Sequence, residues 1–409
     1  MRGLAGVLER VYARIPAERQ LGLERMEAAC AALGHPERAF EAVHVAGTNG
    51  KGSVCAFVAS MARAGGRRVG VYTSPHLVRF AERIQVDGAP IPDEVLLPLL
   101  ERVLALDPAL TFFEVATLAA FLAFRDAGVD LAVLEVGLGG RLDATNVIPP
   151  PRVAVLTRVA FDHQAELGDT LRAIAEEKVA IIKAGSAVVH GKLHPDARAA
   201  LEARVAEVGA RIVPLGSAEP TPGASLAYPR ISMLGTNLAV ATTVGRELGL
   251  SPEALAAGIE ATTWPGRNEL LHRNGLDLTM LDCAHNPDGA VILSHILDPS
   301  SLEGIESRRD VVLVFGALRG KNWRAMLDRL EHAAAHRVFV APPVARAVPP
   351  EEMARAFTGE VASSIPEALA RARAIVGERG LVVVTGSTYL VGAARAHLLG
   401  LPTDPAADS

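Results

Sequence analysis

Apolar residues occur along the chain in two alternating patterns, short continuous runs and helical repeats. The run at residues 40–45 has the length of a buried strand, and apolar side chains then recur at i, i+3, i+4 and i+7 from Val54, which predicts a helix over 51–64. The alternation continues to about residue 260, with predicted strands at 68–72, 130–136 and 153–156 and predicted helices at 93–106, 111–125, 170–182 and 251–260. This order predicts a doubly wound α/β sheet, in which ligands gather at the carboxyl ends of the strands.

A second α/β pattern follows the segment 263–267, which contains Pro265 and Gly266 and is typical of a linker. Asn274-Gly275 predicts a hairpin turn, and strands are expected at 278–282, 310–315, 337–340 and 381–384. We therefore expect two α/β domains. The first, residues 1–264, is a P-loop-containing doubly wound sheet, and the second, residues 265–409, is smaller and Rossmann-like.

Composition narrows the class of protein without changing this fold. Half of the 409 residues are apolar and the net charge is −5, which favours a globular protein without a nucleic-acid partner. Charged residues interrupt the N-terminal segment, and the chain has no apolar run of about 18 residues, so neither a signal peptide nor a membrane partner is predicted. Cys30, Cys55 and Cys283 are widely spaced, which fits a reducing compartment and no zinc site. We expect a cytoplasmic monomer.

The loop after the first predicted strand has the sequence Gly-Thr-Asn-Gly-Lys-Gly-Ser, residues 47–53. A Gly-rich turn between a strand and a helix cradles phosphate, because unpaired N–H groups at the helix N-terminus point at the anion. Lys51 supplies a cation, and Ser53 supplies a hydroxyl suited to Mg²⁺. Gly52 separates these two residues, unlike in the common pattern G-x-x-x-x-G-K-[ST]. A Gly-rich turn with a surface lysine is therefore the alternative.

Polar residues also follow other predicted strands of the first domain. Glu135 ends a buried strand and is placed like the acidic Mg²⁺ residue opposite a phosphate loop, although a structural carboxylate is the alternative. Ser74 lies at a second strand end, where many serines only cap turns. His163 is either a metal ligand or a turn histidine.

Lys178 lies in the middle of a predicted helix beside Glu176 and Glu177, as on a solvated helix face. Burial would instead lower the pKa of its amine, and a neutral amine can take up CO₂ to give an anionic carbamate. Such a carbamate is a hard oxygen ligand for Mg²⁺. The residues alone leave both interpretations open.

Three residues of the second domain are candidates for chemistry. Arg267 at the domain junction can reach a γ-phosphate when the domains close, or form a linker salt bridge. Asp282 and His285 follow a predicted strand, where an Asp can bind ribose hydroxyls. The alternative is an Asx turn and an N-cap before the helix that begins at Pro287.

In combination and in order, these segments resemble the folylpolyglutamate synthases and dihydrofolate synthases, within the wider group of Mur-type ATP-dependent ligases. The matching stretches are 21–25, 45–53, 73–77, 111–114, 135–146, 162–163, 177–183, 265–267, 282–287 and 385–389. The resemblance implies ATP-dependent ligation of L-glutamate to dihydropteroate, to folate polyglutamates, or to both. The expected intermediate is an acyl phosphate, and the expected products include ADP and phosphate.

The resemblance also implies roles for individual residues. ATP would be bound by Gly50, Lys51, Gly52, Ser53, Asn237, Arg267 and Asp282. Two Mg²⁺ ions would be bound, one by Ser74 and Glu135, the other by His163 and carbamylated Lys178. The pterin end of the substrate would contact Gln20, Leu21, Gly22, Leu23, Thr111, Phe112, Phe113, Glu114, Leu142, Asp143 and Ala144. His285 and Ser387 would meet the incoming glutamate, and catalysis would depend on Lys51, His163, Lys178 and Arg267.

Two other functions fit the phosphate loop by itself. A Mur peptidoglycan ligase usually carries a domain of its own before the loop, and the 43 residues before His44 are too few for one. A nucleotide-binding switch that does no ligation is compatible with the loop. Arg267, Asp282 and His285 favour a catalytic site over such a switch.

Overall fold

The computed structural model describes residues 3–15, 22–216, 232–273, 277–298, 310–377 and 380–405. These residues form two compact α/β units. The first unit contains the described residues up to His76, residues 80–216 and Leu234–Thr263. The second contains Leu77–Arg79, Ser232, Met233 and the described residues from Trp264 onward. The hairpin turn predicted at Asn274-Gly275 lies outside the described residues.

The described part of the first unit is built on one mixed sheet. Its strands are β1 (Glu41–Ala46), β2 (Val69–Tyr72), β3 (Ile84–Val86), β4 (Ala89–Pro90), β5 (Leu131–Glu135), β6 (Val153–Leu156), β7 (Ala187–His190) and β8 (Arg211–Ile212). Across the sheet the order is β4-β3-β2-β5-β1-β6-β7-β8. The six strands from β2 to β8 in this order are parallel, and β3 and β4 pair antiparallel at one edge.

Helices connect these strands and cover the sheet. They are α1 (Leu4–Tyr12), α2 (Glu24–Ala32), α3 (Lys51–Ala64), α4 (Asp93–Leu104), α5 (Phe112–Asp126), α6 (Gln164–Leu167), α7 (Leu171–Val179), α8 (Pro195–Val208), α9 (Ser232–Glu247) and α10 (Pro252–Ala261). In the described part of the chain, no helix is both long enough and apolar enough to cross a membrane.

Local sequence explains most of these elements. The central strands β1, β5 and β6 are apolar runs buried on both faces, as parallel strands covered by helices are. The predicted helix at 170–182 is shorter in the structure and ends at Val179. The chain leaves helical geometry there because Ile181 and Ile182 turn into the core, where both are buried against Leu156 and its neighbours.

The second unit repeats the α/β pattern on a smaller sheet. Its strands are β9 (Glu269–Arg273), β10 (Asp277–Leu281), β11 (Val311–Phe315), β12 (His336–Phe339), β13 (Glu360–Val361) and β14 (Leu381–Thr385), and its helices are α11 (Pro287–Leu297), α12 (Trp323–Leu330), α13 (Pro350–Ala356), α14 (Ile365–Val376) and α15 (Thr388–Leu399). The strand order is β13-β12-β11-β14-β10-β9. Only β9 runs antiparallel to its neighbour among these strands.

Strand register places several loops at a common edge in each unit. In the first unit Val45 pairs with Glu135, and Leu134 pairs with Tyr72, so β1, β5 and β2 end side by side. β6 ends beside β1. The loops that follow these four strands therefore meet at one edge, which is where an open α/β sheet binds its ligands.

A contact between α3 and α10 generates a prediction about stability. A Cβ added to Gly258 would lie 2.3 Å from Cα of Met61. Gly258→Ala must therefore push α10 away from α3, and we expect it to lower the free energy of unfolding by about 1–3 kcal/mol. Urea denaturation followed by circular dichroism measures the change.

Gly235→Ala in α9 is the matched control, because an added Cβ there meets nothing within 4 Å. It should raise the free energy of unfolding by about 0.5–1 kcal/mol, the difference in helix propensity between the two residues. Equal effects of the two substitutions would contradict the close contact at Gly258.

Candidate active site

The Gly-rich loop of the first unit joins β1 to α3 and packs closely on two other segments. Gly47 and Gly50 have φ angles of +150° and +92°, which favour glycine. A Cβ on Gly47 would lie 1.8 Å from the Thr157 hydroxyl, and one on Gly50 would lie 2.6 Å from Oδ1 of Asn237. Gly50 is the N-cap of α3 and has no side chain to cap the first N–H groups. These N–H groups suit an anion.

Hydrogen bonds to the segment after β6 hold this loop in place. The Thr48 N–H donates to the Arg158 carbonyl at 2.7 Å, and the Thr157 hydroxyl donates to the Asn49 carbonyl at 2.9 Å. Nζ of Lys51 donates back to the carbonyls of Gly47 and Thr48, each at 3.2 Å. The lysine therefore folds over the loop that would cradle the phosphates.

Glu135 faces the same loop from the end of β5. Its side chain is buried, and Oε1 lies 3.9 Å from Nζ of Lys51. Oε2 accepts a hydrogen bond from the Ser74 N–H at 3.2 Å, so the residue after β2 reaches the same carboxylate. The structure thus brings together Lys51, Glu135 and Ser74, which the sequence placed at three separate strand ends.

Lys178 is buried rather than solvated, with a residue exposure of 5%. Burial, helped by the nearby charge of Lys51, lowers the pKa of its amine to about 7. Asp162, Asp143 and Glu177 oppose this shift. The structure therefore provides a desolvated amine that is partly neutral near pH 7.

The glycines after β5 explain how Lys178 comes to be buried. A Cβ on Gly140 would lie 2.8 Å from the Glu177 carbonyl and 3.0 Å from the Lys178 carbonyl. The Arg141 N–H donates to the Glu177 carbonyl at 2.9 Å. The Gly-rich segment can therefore lie directly on the last turn of α7.

His163 follows β6, with a positive φ of 52° and a side chain that is 35% exposed. Its ring nitrogens lie 3.9 Å from carboxylate oxygens of Asp162 and Glu166. The charge of Asp162 also acts on Lys178, so both candidate metal ligands lie near this carboxylate. Asp162 was not among the predicted site residues, although its position after a central strand was a signal for it.

The donor set fits a divalent cation that arrives with a nucleotide. Among the described residues, no three His, Cys, Asp or Glu side chains form a metal-binding cluster. Mg²⁺ often takes only one or two protein ligands and completes its shell with phosphate oxygens and water. Glu135 and the Ser74 hydroxyl carry oxygen atoms of the type that Mg²⁺ prefers as ligands.

A cavity of about 330 Å³ lies beside Ser74, and we call it the aromatic cavity. Its described lining residues are Ile15, Gly22, Ser74, Pro75, Arg83, Thr111, Phe112, Phe113, Glu114, Gly137, Leu138, Leu142, Asp143 and Ala144. Eight of the eleven residues predicted for the pterin end line it. Leu23 lines a neighbouring cavity instead, and Gln20 and Leu21 lie outside the described residues.

Arg83 gives the aromatic cavity a buried cation that sequence reasoning missed. Its guanidinium carbon lies 4.9 Å from the ring centre of Phe112, and Nε donates to Nδ1 of His76 at 2.8 Å. Thr111 and Glu114 also have a structural task, because they form the capping box of α5. Glu114 in turn pairs with Arg25 at 2.9 Å.

In the second unit, the candidate residues lie at the aligned ends of β10 and β14. Buried Asp282 accepts from the N–H groups of Ala284 at 2.9 Å and Asn268 at 3.2 Å. The first of these bonds is the Asx turn of the alternative interpretation, whereas the N-cap of α11 is Asn286. Burial raises the pKa of Asp282, and the charge of Arg267 opposes the rise.

His285 and Ser387 lie near the same strand ends. Nδ1 of His285 is 2.9 Å from the Cys283 carbonyl, which can only accept, so Nδ1 carries a proton. Ser387 caps α15 by accepting a hydrogen bond from the Tyr389 N–H at 3.2 Å.

Comparison with known proteins places this fold and site in one class. Residues 45–219 match the family described as Mur ligase middle domain, and residues 266–388 match the family described as Mur ligase, glutamate ligase domain. The chain is therefore a Mur-type ATP-dependent ligase.

Full-length relatives narrow the class to one family. The chain is 37% identical over 406 residues to folylpolyglutamate synthase of Lacticaseibacillus casei, covering 90% of this chain and 92% of the relative. It is 33% identical over 426 residues to dihydrofolate synthase/folylpolyglutamate synthase of Bacillus subtilis, covering 95% and 97%. The chain belongs to the folylpolyglutamate synthase/dihydrofolate synthase family. These relatives confirm the predicted family and do not favour the peptidoglycan ligase or the non-catalytic switch.

Solved structures confirm the predicted fold. Escherichia coli FolC in complex with DHPP and ADP matches with a TM-score of 0.88 and 29% identity, covering 98% of each chain. The Yersinia pestis folylpolyglutamate synthase/dihydrofolate synthase complexed with AMPPNP and Mn ion matches with a TM-score of 0.86 and 30% identity, covering 98% of this chain and 99% of that one. Both a nucleotide and a divalent metal are thus bound in neighbouring structures.

The lowered pKa of Lys178 predicts a specific pH dependence. Its pKa is about 7 in the folded chain, against an ordinary value of 10.5, so the unfolded chain binds more protons between these values. The free energy of unfolding should therefore rise with pH across this window, and this contribution should be lost as the pH falls through about 7.

Lys178→Met replaces the amine with an uncharged side chain of similar length. It should remove the rise in the free energy of unfolding with pH. Urea unfolding of both proteins, measured across the window in bicarbonate-free buffer, compares the two profiles. Parallel profiles would show that Lys178 keeps an ordinary pKa in the folded chain.

Proposed function

We propose that this chain uses ATP to join L-glutamate to dihydropteroate, to reduced folates, or to both. The observation that carries the proposal is the position of Ser74, which lines the aromatic cavity and also donates its N–H to Glu135. Glu135 lies 3.9 Å from Lys51 of the phosphate loop. A substrate in the cavity is thereby next to the group that would hold the transferable phosphate.

In this proposal, the first domain of the protein, residues 1–264, binds ATP and the pterin-containing substrate. Gly50, Lys51, Gly52 and Ser53 would hold the phosphates, and Asn237, which packs on Gly50, would contact the nucleotide. The aromatic cavity would hold the pterin, because the side chains of Phe112 and Phe113 and a few polar groups suit a flat heteroaromatic ring.

We propose two Mg²⁺ sites at the phosphate end of this domain. Ser74 and Glu135 would hold the first ion, and His163 with carbamylated Lys178 would hold the second. Mg²⁺ bound at these sites would neutralise the negative charge that develops on ADP as ADP leaves. The partly neutral amine of Lys178 supports the carbamate, because only an uncharged amine can add to CO₂.

We propose that the second domain, residues 265–409, contributes residues to nucleotide and glutamate binding. Arg267 and Asp282 would hold the rest of the nucleotide, and His285 and Ser387 would meet glutamate. The buried position of Asp282 and the charge of Arg267 beside it support a paired role for these two residues. The free thiols of Cys30, Cys55 and Cys283 fit a reducing compartment. We also propose that the protein is a cytoplasmic monomer.

The reaction needs activation of a carboxylate, which by itself has a poor leaving group. A carboxylate oxygen of the acceptor attacks the γ-phosphorus of ATP, and the bond from that phosphorus to ADP breaks. The glutamate amine then attacks the carbonyl carbon of the acyl phosphate, the C–O bond breaks, and phosphate leaves as the amine loses a proton. Lys51 and Arg267 would neutralise charge on the transferred phosphoryl group, and no side-chain nucleophile is required.

The first test measures incorporation of radiolabelled glutamate with dihydropteroate and with tetrahydrofolate in parallel. We expect ATP-dependent incorporation with at least one acceptor, together with glutamate-dependent release of ADP. Lys51→Ala should lower kcat/KM by at least about a hundredfold, because it removes the cation at the transferred phosphate. Lys192→Ala, at an exposed position, is the matched control. ADP release that ignores both glutamate and acceptor would contradict the proposal.

The second test looks for the carbamate directly. With ¹³C-labelled bicarbonate, the wild-type protein should show a carbamate carbon resonance that is absent from Lys178→Ala and retained in Lys192→Ala. Lys178→Ala should also abolish glutamate incorporation, and bicarbonate with a short carboxylic acid should partly restore it. Full activity of Lys178→Ala would rule out an essential carbamate.

A further inference from the structure

Asp143 lies in the wall of the aromatic cavity, and hydrogen bonds within the protein occupy both its carboxylate oxygens. Oδ1 accepts from the N–H of Thr145 at 3.0 Å and from the Thr145 hydroxyl. Oδ2 accepts from the N–H groups of Gly137 at 3.0 Å and Leu138 at 2.9 Å. An ionised carboxylate has about four acceptor positions, so these four donors fill it. Asp143 thereby ties the segment after β5 to the turn Ala144–Val147.

His44 stands behind Thr145, on the strand that carries the phosphate loop. Nε2 of His44 lies 2.8 Å from the Thr145 hydroxyl oxygen. That hydroxyl gives its only proton to Asp143, so it must accept from His44, and Nε2 therefore carries the ring proton. Burial, together with the charge of Lys183, lowers the pKa of His44 to about 3, which keeps the ring neutral. Nδ1 has no hydrogen-bond partner among the described residues.

A second buried side chain holds the far end of the same turn. Nζ of Lys183 donates to the carbonyls of Asn146 at 2.7 Å and Ile148 at 2.5 Å. His44, Thr145 and Lys183 are not among the described residues that line the aromatic cavity. The turn that carries part of the cavity wall is therefore held by polar groups that do not themselves line the cavity.

We propose that His44 and Thr145 are positioning residues for the pterin end of the substrate, acting through Asp143; this inference rests on the proposed function. The hydrogen bonds from His44 to Thr145 and from Thr145 to Asp143 fix the orientation of the carboxylate. The carboxylate in turn fixes the distance between two parts of the cavity wall. One part contains Gly137 and Leu138, and the other contains Leu142 and Ala144. The width of the aromatic cavity thus depends on His44 of β1, which does not itself line the cavity.

Thr145→Val tests the series of hydrogen bonds from His44 to Asp143, because valine keeps the shape and the N–H of threonine but lacks the hydroxyl. Asp143 then loses one of its four donors, and we expect the acceptor Kd and KM to rise about tenfold, as for an unsatisfied buried group. The kcat and the KM values for ATP and glutamate should change less than about twofold. Thr145→Ser restores the hydroxyl and should restore acceptor binding. Calorimetric titration with the better of dihydropteroate and tetrahydrofolate measures Kd.

Two substitutions of His44 test the other end of this series of hydrogen bonds. His44→Leu removes the donor to Thr145, whereas the amide nitrogen of His44→Gln can replace Nε2. We expect weaker acceptor binding for His44→Leu and recovery for His44→Gln. In a double-mutant cycle, the effects of His44→Leu and Thr145→Val on acceptor binding should be strongly non-additive, because both substitutions break the same series of hydrogen bonds. If Thr145→Val does not fold, the Leu and Gln variants decide the question.

Thr243→Val is the matched control, because Thr243 is another buried threonine of this unit, with its hydroxyl bonded to the Ala239 carbonyl. It should leave the acceptor Kd unchanged. An unchanged acceptor Kd for Thr145→Val, equal losses for ATP and acceptor, or no recovery with Thr145→Ser would each overturn the inference. An inactive wild-type protein would overturn the proposed function instead, so the two failures are distinguishable.

Discussion

The parallel hydrogen-bond ladders that join β2, β5, β1 and β6 are the constraint on which the site depends. Parallel strands all end at the same edge of a sheet, so four loops that are distant in sequence must share one small region. The phosphate loop, Ser74, Glu135 and Asp162 are neighbours for this reason. Strand register by itself brings these residues to the same edge of the sheet.

Loops that share one edge must also approach one another closely, and glycine makes this possible. Gly47 lies against Thr157, Gly50 against Asn237, and Gly140 against the backbone of α7. A Cβ at any of these positions would collide with its neighbour. The glycines of the site therefore act less as hinges than as contact surfaces, which allow polar loops to pack as closely as apolar side chains do in a core.

The same crowding gives the site its electrostatic character. Lys51 and Lys178 lie near enough for one charge to lower the pKa of the other, and both are largely removed from water. The carboxylates of Asp162, Asp143 and Glu177 act on the pKa of Lys178 in the opposite direction. Glu135 lies 3.9 Å from Nζ of Lys51. The site therefore combines one cation, one partly neutral amine and several carboxylates, because desolvation keeps Lys178 from carrying a full positive charge near pH 7.

Much of the fold could be predicted from the sequence, because short apolar runs and helical repeats are local signals. The strand β6 and the helix α3 begin and end where the pattern predicted them, and the order of motifs was enough to identify the family. The helix α7 was predicted too long because burial of Ile181 and Ile182 depends on residues elsewhere in the chain.

The site required the tertiary structure wherever a property depends on distant residues. Local sequence places Lys178 beside two glutamates, as on a solvated face, and only the tertiary structure shows that its amine is desolvated. Arg83 in the aromatic cavity and the chain from His44 through Thr145 to Asp143 had no local signal. His44 and Thr145 are 101 positions apart, and they meet only because β1 and β5 pair. Local periodicity determines elements, whereas burial, pKa and hydrogen-bond partners are set by which elements the fold brings into contact.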